Sequence, residues 1–283
     1  MGSHHRIFWG AALVAGLWTT GVPAAEAQLL GMEWKIQNLR PSGQPVIPIF
    51  DGWLEREDGS TDLCFGYFNL NLEEELEIPL GPDNFIDPPV YDGRQPTHFD
   101  EVPESYRRYF CTFTVTLPPE AASDSVVWTL RLNGQTYAVP GDASVPGYRL
   151  DGFSQPSRGV VAPIIQLLEP AAVETRGRGW VVAGPASSRV GIPLPIAVAV
   201  SGPDEESLTD PLVVWTKHQG PGSVSFSREE ATLRDGQTEA STQATFDAPG
   251  EYLLRVQAVD GGRRSYGFHC CWTNVYLSVQ VTP

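Results

Sequence analysis

The sequence predicts an all-β protein made of two consecutive β-sandwich domains, the second immunoglobulin-like. Three observations carry this. Proline (25) and glycine (28) interrupt the chain too often for long helices. Between them lie short alternating runs rich in Val, Thr, Phe, Tyr and Trp, the pattern of strands with one buried face. The breaks carry hairpin chemistry. Asn133-Gly134 supplies the two positive-φ residues of a type I′ turn, so Val126 to Val139 is expected to be a hairpin.

The first 27 residues have the order of a secretory signal. His4, His5 and Arg6 make a weakly positive start, an apolar run follows from Ile7 to Trp18, and Ala25-Glu26-Ala27 offers the small-x-small cleavage site. The apolar run is shorter than the ~20 residues that span a bilayer, and no later run is long enough. The protein is therefore expected to be exported, in the periplasm or outside the cell, without a membrane span after cleavage. Removing residues 1–27 takes away one charge of each sign, so the net charge stays at -15. Such a chain is repelled by phosphate backbones, which argues against nucleic acid as a partner.

Residues 28–158 are read as the first sandwich. Asp58-Gly59-Ser60-Thr61-Asp62 makes a turn between two strands. Leu70, Leu72, Leu76, Ile78 and Leu80 alternate with polar residues, as a strand pair or one long strand with an acidic outer face. Cys111 to Leu117 alternates apolar residues at odd positions with Thr at even ones. The stretch from Gly81 to Pro103 holds five prolines with Asp83, Asn84, Asp87, Asp92 and Asp100, and has no periodicity. It reads as a long loop across one end of the domain, a place where function is often carried. His98 within it reads as a solvated polar residue. Around Phe65-Gly66-Tyr67-Phe68-Asn69 this half resembles uncharacterised secreted bacterial proteins, a likeness that transfers no function.

A linker-like stretch around Pro156 precedes the second sandwich, residues 159–283, which opens on a strand at Ile164–Leu168. Ile192, Leu194, Ile196, Val198 and Val200 share a face, as do Tyr252, Leu254, Val256 and Ala258, and Val275, Leu277, Val279 and Val281. The segment Pro249-Gly250-Glu251-Tyr252-Leu253-Leu254-Arg255-Val256-Gln257-Ala258-Val259-Asp260 resembles the penultimate-strand motif of PKD-type and related bacterial immunoglobulin-like domains. The resemblance covers about the C-terminal 120 residues. It implies a tyrosine corner at Tyr252, a core tryptophan at Trp215, and a role as an extracellular spacer or a protein- or glycan-contacting module. The chain departs from the PKD pattern at Trp215-Thr216-Lys217-His218-Gln219-Gly220-Pro221-Gly222, where those domains carry Trp-x-Phe-Gly-Asp-Gly.

Four cysteines allow three pairings. Cys64 and Cys111 fall on strands of the first half, both pointing inward, so a disulfide between them across the sandwich is expected in an oxidising compartment. Cys270-Cys271 is open to three readings: a structural or vicinal disulfide, two thiols, or a soft-metal site with His269. Trp272 and Tyr276 would stand outward beside them. They could form an aromatic stripe for a glycan or protein, or pack against the first domain. No G-x-S-x-G, H-E-x-x-H, phosphate-cradling glycine loop or EF-hand loop occurs, so no enzyme and no cofactor are expected. The reading is an exported, non-enzymatic binding or scaffolding module contacting an extracytoplasmic protein or glycan. The alternative is a periplasmic metal-binding or thiol-redox protein using His269, Cys270 and Cys271.

Overall fold

The computed structural model describes residues 40–101, 108–155, 159–203, 208–261 and 271–283. The expected signal segment, the expected boundary at 158/159, and His269 and Cys270 lie outside the described residues. All regular structure among them is β, apart from three single 3-10 turns, and no helix is long and apolar enough to cross a membrane.

The first half comprises β1 (Val46–Glu55), β2 (Thr61–Asn69), β3 (Leu76–Glu77), β4 (Asn84–Asp87), β5 (His98–Phe99), β6 (Tyr109–Leu117), β7 (Val126–Leu132) and β8 (Gln135–Gly141). One sheet runs β1-β2-β6, a second β4-β7-β8, and β3-β5 forms a small ribbon. Phe65, Phe99, Phe113 and Trp128 fill the space between them, with Phe113 edge-on to Trp128 at 5.0 Å. Burying such rings is the main gain here, at ~25 cal/mol per Å² of apolar surface. The hairpin turn is as expected, with φ 53° at Asn133 and 74° at Gly134. The alternation over Leu70–Leu80 yields only β3, and Leu72 and Leu80 are exposed. The Gly81–Pro103 stretch is more than a loop: β4 pairs with β7, and β5 closes the ribbon with β3. Asn84 is buried there. Its side-chain amide donates to the carbonyls of Ile78 and Pro96, and its oxygen accepts from Trp128 Nε1.

A short pair, β9 (Ser154–Gln155) and β10 (Val160–Val161), leads into β11 (Ile164–Glu169), β12 (Val173–Arg176), β13 (Val182–Arg189), β14 (Leu194–Ser201), β15 (Leu212–Gln219), β16 (Val224–Phe226), β17 (Glu230–Thr232), β18 (Glu239–Phe246), β19 (Gly250–Val259) and β20 (Trp272–Thr282). They form two five-stranded sheets, β12-β11-β14-β18-β16 and β13-β20-β19-β15-β17. The sequences β11-β14-β18 and β20-β19-β15 reproduce the A-B-E and G-F-C pairings of an immunoglobulin-like sandwich. Trp215 is buried in the core between the sheets. Tyr252 Oη donates to the carbonyl of Ala248, 2.9 Å away and four residues back, which is tyrosine-corner geometry. Ile192 does not join the core: it precedes β14 and is exposed.

Candidate functional site

Cys64 and Cys111 are disulfide-bonded, with Cα atoms 5.0 Å apart. The pairing is the expected one and the placement is not. β2 and β6 are neighbours in one sheet, so the bond ties adjacent strands rather than crossing the sandwich. The register explains this. Phe65 faces Phe113 but Tyr67 faces Tyr109, so β6 carries extra residues and bulges at Cys111, whose φ is 41°. The bulge turns Cys111 away from Phe113 to the sheet's other face. Asp51 holds it, accepting from Cys111 N at 2.7 Å while pairing with Arg108 at 2.6 Å.

That other face is covered by the second sandwich. Cys64, Cys111, Leu150, Leu212, Val259 and Trp272 make an apolar cluster of their own. Thr112 and Thr114 of β6 are buried beneath it, while Thr116 is half-buried; Thr114 Oγ1 donates to the carbonyl of Arg178. Trp272 and Tyr276 therefore form no exposed stripe. They are 3% and 0% exposed. Tyr276 Oη donates to the Thr112 carbonyl at 2.7 Å, and Asn274 Nδ2 to that of Cys111 at 3.0 Å. Trp180 lies on Tyr276 at 4.1 Å and Arg178 over Trp272 at 5.1 Å.

The rest of the seam is made by residues 93–97 and the segment where the chain departs from the PKD pattern. Thr97 N donates to the His218 carbonyl at 2.9 Å. Gln219 Nε2 donates to the carbonyls of Gly93 and Gln95, and His218 Nε2 to that of Arg94 at 2.7 Å. Burial pushes the His218 pKa down to about 3, although its bond to Arg94 opposes this, so the ring is neutral. Lys217 Nζ, itself buried, pairs with Glu77 at 2.6 Å. Sequence reasoning missed Lys217, His218 and Gln219 as a group. Their signal was three polar residues in a central strand of a sandwich, at the point where the family motif breaks.

Beside Lys217 the β3-β5 ribbon gathers a second polar group. Glu77 faces His98 across it, and Glu75 and Asp100 flank the pair. His98 is not the solvated residue expected. Its side chain is 10% exposed, Nδ1 lies 2.8 Å from Glu77 and Nε2 lies 3.1 Å from Asp100 and 3.9 Å from Glu75. Burial opposes charge on His98, but the hydrogen bonds to Asp100 and Glu77 outweigh it and push its pKa up to about 10. For Asp100 burial is likewise outweighed by His98, and its carboxyl is held below the usual range. Tyr67 Oη donates to its other oxygen at 3.2 Å. Glu75 is pushed up, by burial first and by the nearby charges of Asp100, Glu101 and Glu229.

On the same seam a cleft of about 500 Å³ opens between Arg56, Asp62 and Phe153, with Arg176 over the Phe153 ring at 5.1 Å. Of the other expected site residues, Asp83, Asp87 and Asp92 are exposed, but Asp92 Oδ1 accepts from Ile86 N and Gln95 Nε2. Cys271 is buried and disulfide-bonded, so it offers no thiol. The metal and redox reading centred on His269, Cys270 and Cys271 otherwise falls outside the described residues.

No family model matches the chain, and no curated protein matches it. Among solved structures, domains 4 and 5 of the S-layer protein SbsC align at 14% identity over 60% of this chain and 69% of that one, with a TM-score of 0.27. The D0-D1 domain of intimin aligns at 13% identity over 85% and 98%, with a TM-score of 0.28. The D00-D0 domain of intimin aligns at 10% over 84% and 100%, with a TM-score of 0.29. TM-scores this low carry no weight for fold or role; the immunoglobulin-like assignment rests on the strand order and the tyrosine corner.

Proposed function

We propose that the protein works outside the cytoplasm as a rigid, non-enzymatic two-sandwich module that contacts or positions an extracytoplasmic protein or glycan. The observation that carries this is the seam. Aromatic residues that could have formed a ligand platform are used instead to lock two sandwiches in one mutual placement, which is what a spacer or scaffold requires. The disulfide beneath the seam supports an oxidising compartment, and the charge of -15 supports solubility over anionic surfaces as targets. The second sandwich is read as PKD-type: the motif at Pro249–Asp260 and the Tyr252 corner support it, and docking accounts for the departure at Lys217–Gln219. The contact surface is assigned to the tip of the Gly81–Pro103 segment, where Asp83, Asp87 and Val90 (79% exposed) face solvent.

The test expresses the full chain with its own residues 1–27, fractionates the cells, and measures retention of the purified protein on isolated cell-envelope material and immobilised polysaccharide. Export with the disulfide formed, and retention that falls at least tenfold for Val90→Asp, are expected. Cytoplasmic recovery, or no retention on either material, contradicts the proposal.

A further inference from the structure

We infer that His98, Asp100 and Glu75 form a binding site for a divalent transition-metal ion at the edge of the seam. One ligand atom from each of the three lies within 4.8 Å of the others. The donor set is one imidazole and two carboxylates, which suits borderline ions such as Zn2+ better than thiophilic ones.

The surrounding shell is the stronger argument. A ligating histidine usually donates its other ring N–H to a carboxylate, which fixes the tautomer and aims the free nitrogen at the ion. Here Glu77 takes Nδ1 at 2.8 Å and is itself held by Lys217 at 2.6 Å, so Nε2 is the nitrogen turned toward Asp100 and Glu75. Asp100 is oriented in the same way. Tyr67 occupies Oδ2 and leaves Oδ1 toward His98. Two of the three ligands are thus largely buried and fixed from behind. The third, Glu75, stands at the solvent side and gives the ion an entry path. Glu101 and Glu229 add negative charge around it. On binding, the ion takes the place of the proton on Nε2, which is released to solvent, while the Nδ1–H···Glu77 bond remains.

The arrangement would make the seam metal-responsive, because Glu77 ties His98 of the first sandwich to Lys217 of the second. The test is titration of the exported full chain, stripped with EDTA, with Zn2+ by calorimetry and with Co2+ by visible ligand-field absorption, beside Glu75→Gln and His98→Gln. Glu75 is exposed, so Glu75→Gln leaves the fold intact and keeps the test valid if His98→Gln unfolds. One equivalent of Zn2+ that binds at least tenfold more weakly to Glu75→Gln, with loss of the Co2+ bands, is expected. Equal Zn2+ affinity in the wild type and Glu75→Gln assigns the ion elsewhere and overturns the site, as does a wild type that takes up neither ion.

Discussion

The two outer faces of the second sandwich have opposite fates. On the β11-β14-β18 sheet the residues between the core positions, Gln166, Pro195, Glu239, Ser241 and Gln243, are exposed, and the alternation of the sequence is the alternation of the fold. On the β15-β19-β20 sheet the corresponding residues His218, Arg255, Gln257, Trp272, Asn274 and Tyr276 are buried. β19 is covered on both faces along most of its length. The lesson is about composition. A solvent face carries small and charged groups, whereas this one carries Trp, Tyr, Asn and Gln, side chains that combine apolar area with hydrogen-bonding tips. Such a face asks for a partner, and here the partner is the threonine face of β6.

Mutations should separate the two faces. The largest expected effect is Trp272→Ala, which empties a buried site at the seam and should cost about 3–5 kcal/mol in chemical denaturation. A glycan platform would instead lose ligand and keep its stability. Replacing Cys64 and Cys111 together by serine should cost about 4 kcal/mol in the chain-entropy model for this loop length, read as a shift of the unfolding midpoint.

His218 gives the third test. Its folded pKa is depressed to about 3, with burial the main cause; Arg255 and His98 reinforce the shift while Arg94 O and Asp100 oppose it. The unfolded chain accepts a proton near pH 6.5 that the folded chain refuses. Stability from this residue is therefore present above about 6.5 and is lost as pH falls toward 3, at a limiting slope of about 1.4 kcal/mol per pH unit. His218→Gln should flatten that acid limb in stability measured across the range. Smaller again, Tyr276→Phe removes the hydroxyl that satisfies the Thr112 carbonyl and should cost about 1–2 kcal/mol. Ser241→Ala, on the solvent face of the other sheet, should stay within about 0.5 kcal/mol.

Much of this was legible in the sequence, and the failures share one cause. Period-two alternation located the strands, Asn133-Gly134 its hairpin, and the Pro249–Asp260 motif the tyrosine corner, because each depends on residues close in the chain. Cys64 and Cys111 pair as expected but on the other face of the sheet: Cys64 alternates with the core residues Leu63, Phe65 and Tyr67, and a bulge at Cys111 shifts the period of β6, which nothing local announces. Trp272 and Tyr276 stand outward, which is correct for the sandwich alone; their cover comes from distant parts of the chain, the Thr112 carbonyl that accepts from Tyr276 lying 164 positions away. His98 reads as solvated because its partner Glu77 sits on another strand, with Glu75 just before it, and Lys217 in the other half of the chain. Alternation reports which side of a strand is apolar. It does not report that a second domain closes over the polar side.

The central claim is that the outer face of β15-β19-β20 is an internal seam. Hydroxyl-radical footprinting of the native full chain tests it directly, comparing Trp272 and Tyr276 with the core residue Trp215 and with Tyr148, which is 51% exposed. Labelling of Trp272 and Tyr276 as low as that of Trp215 is the predicted result. Labelling as high as that of Tyr148 would mean the face is open to solvent, and would contradict the account.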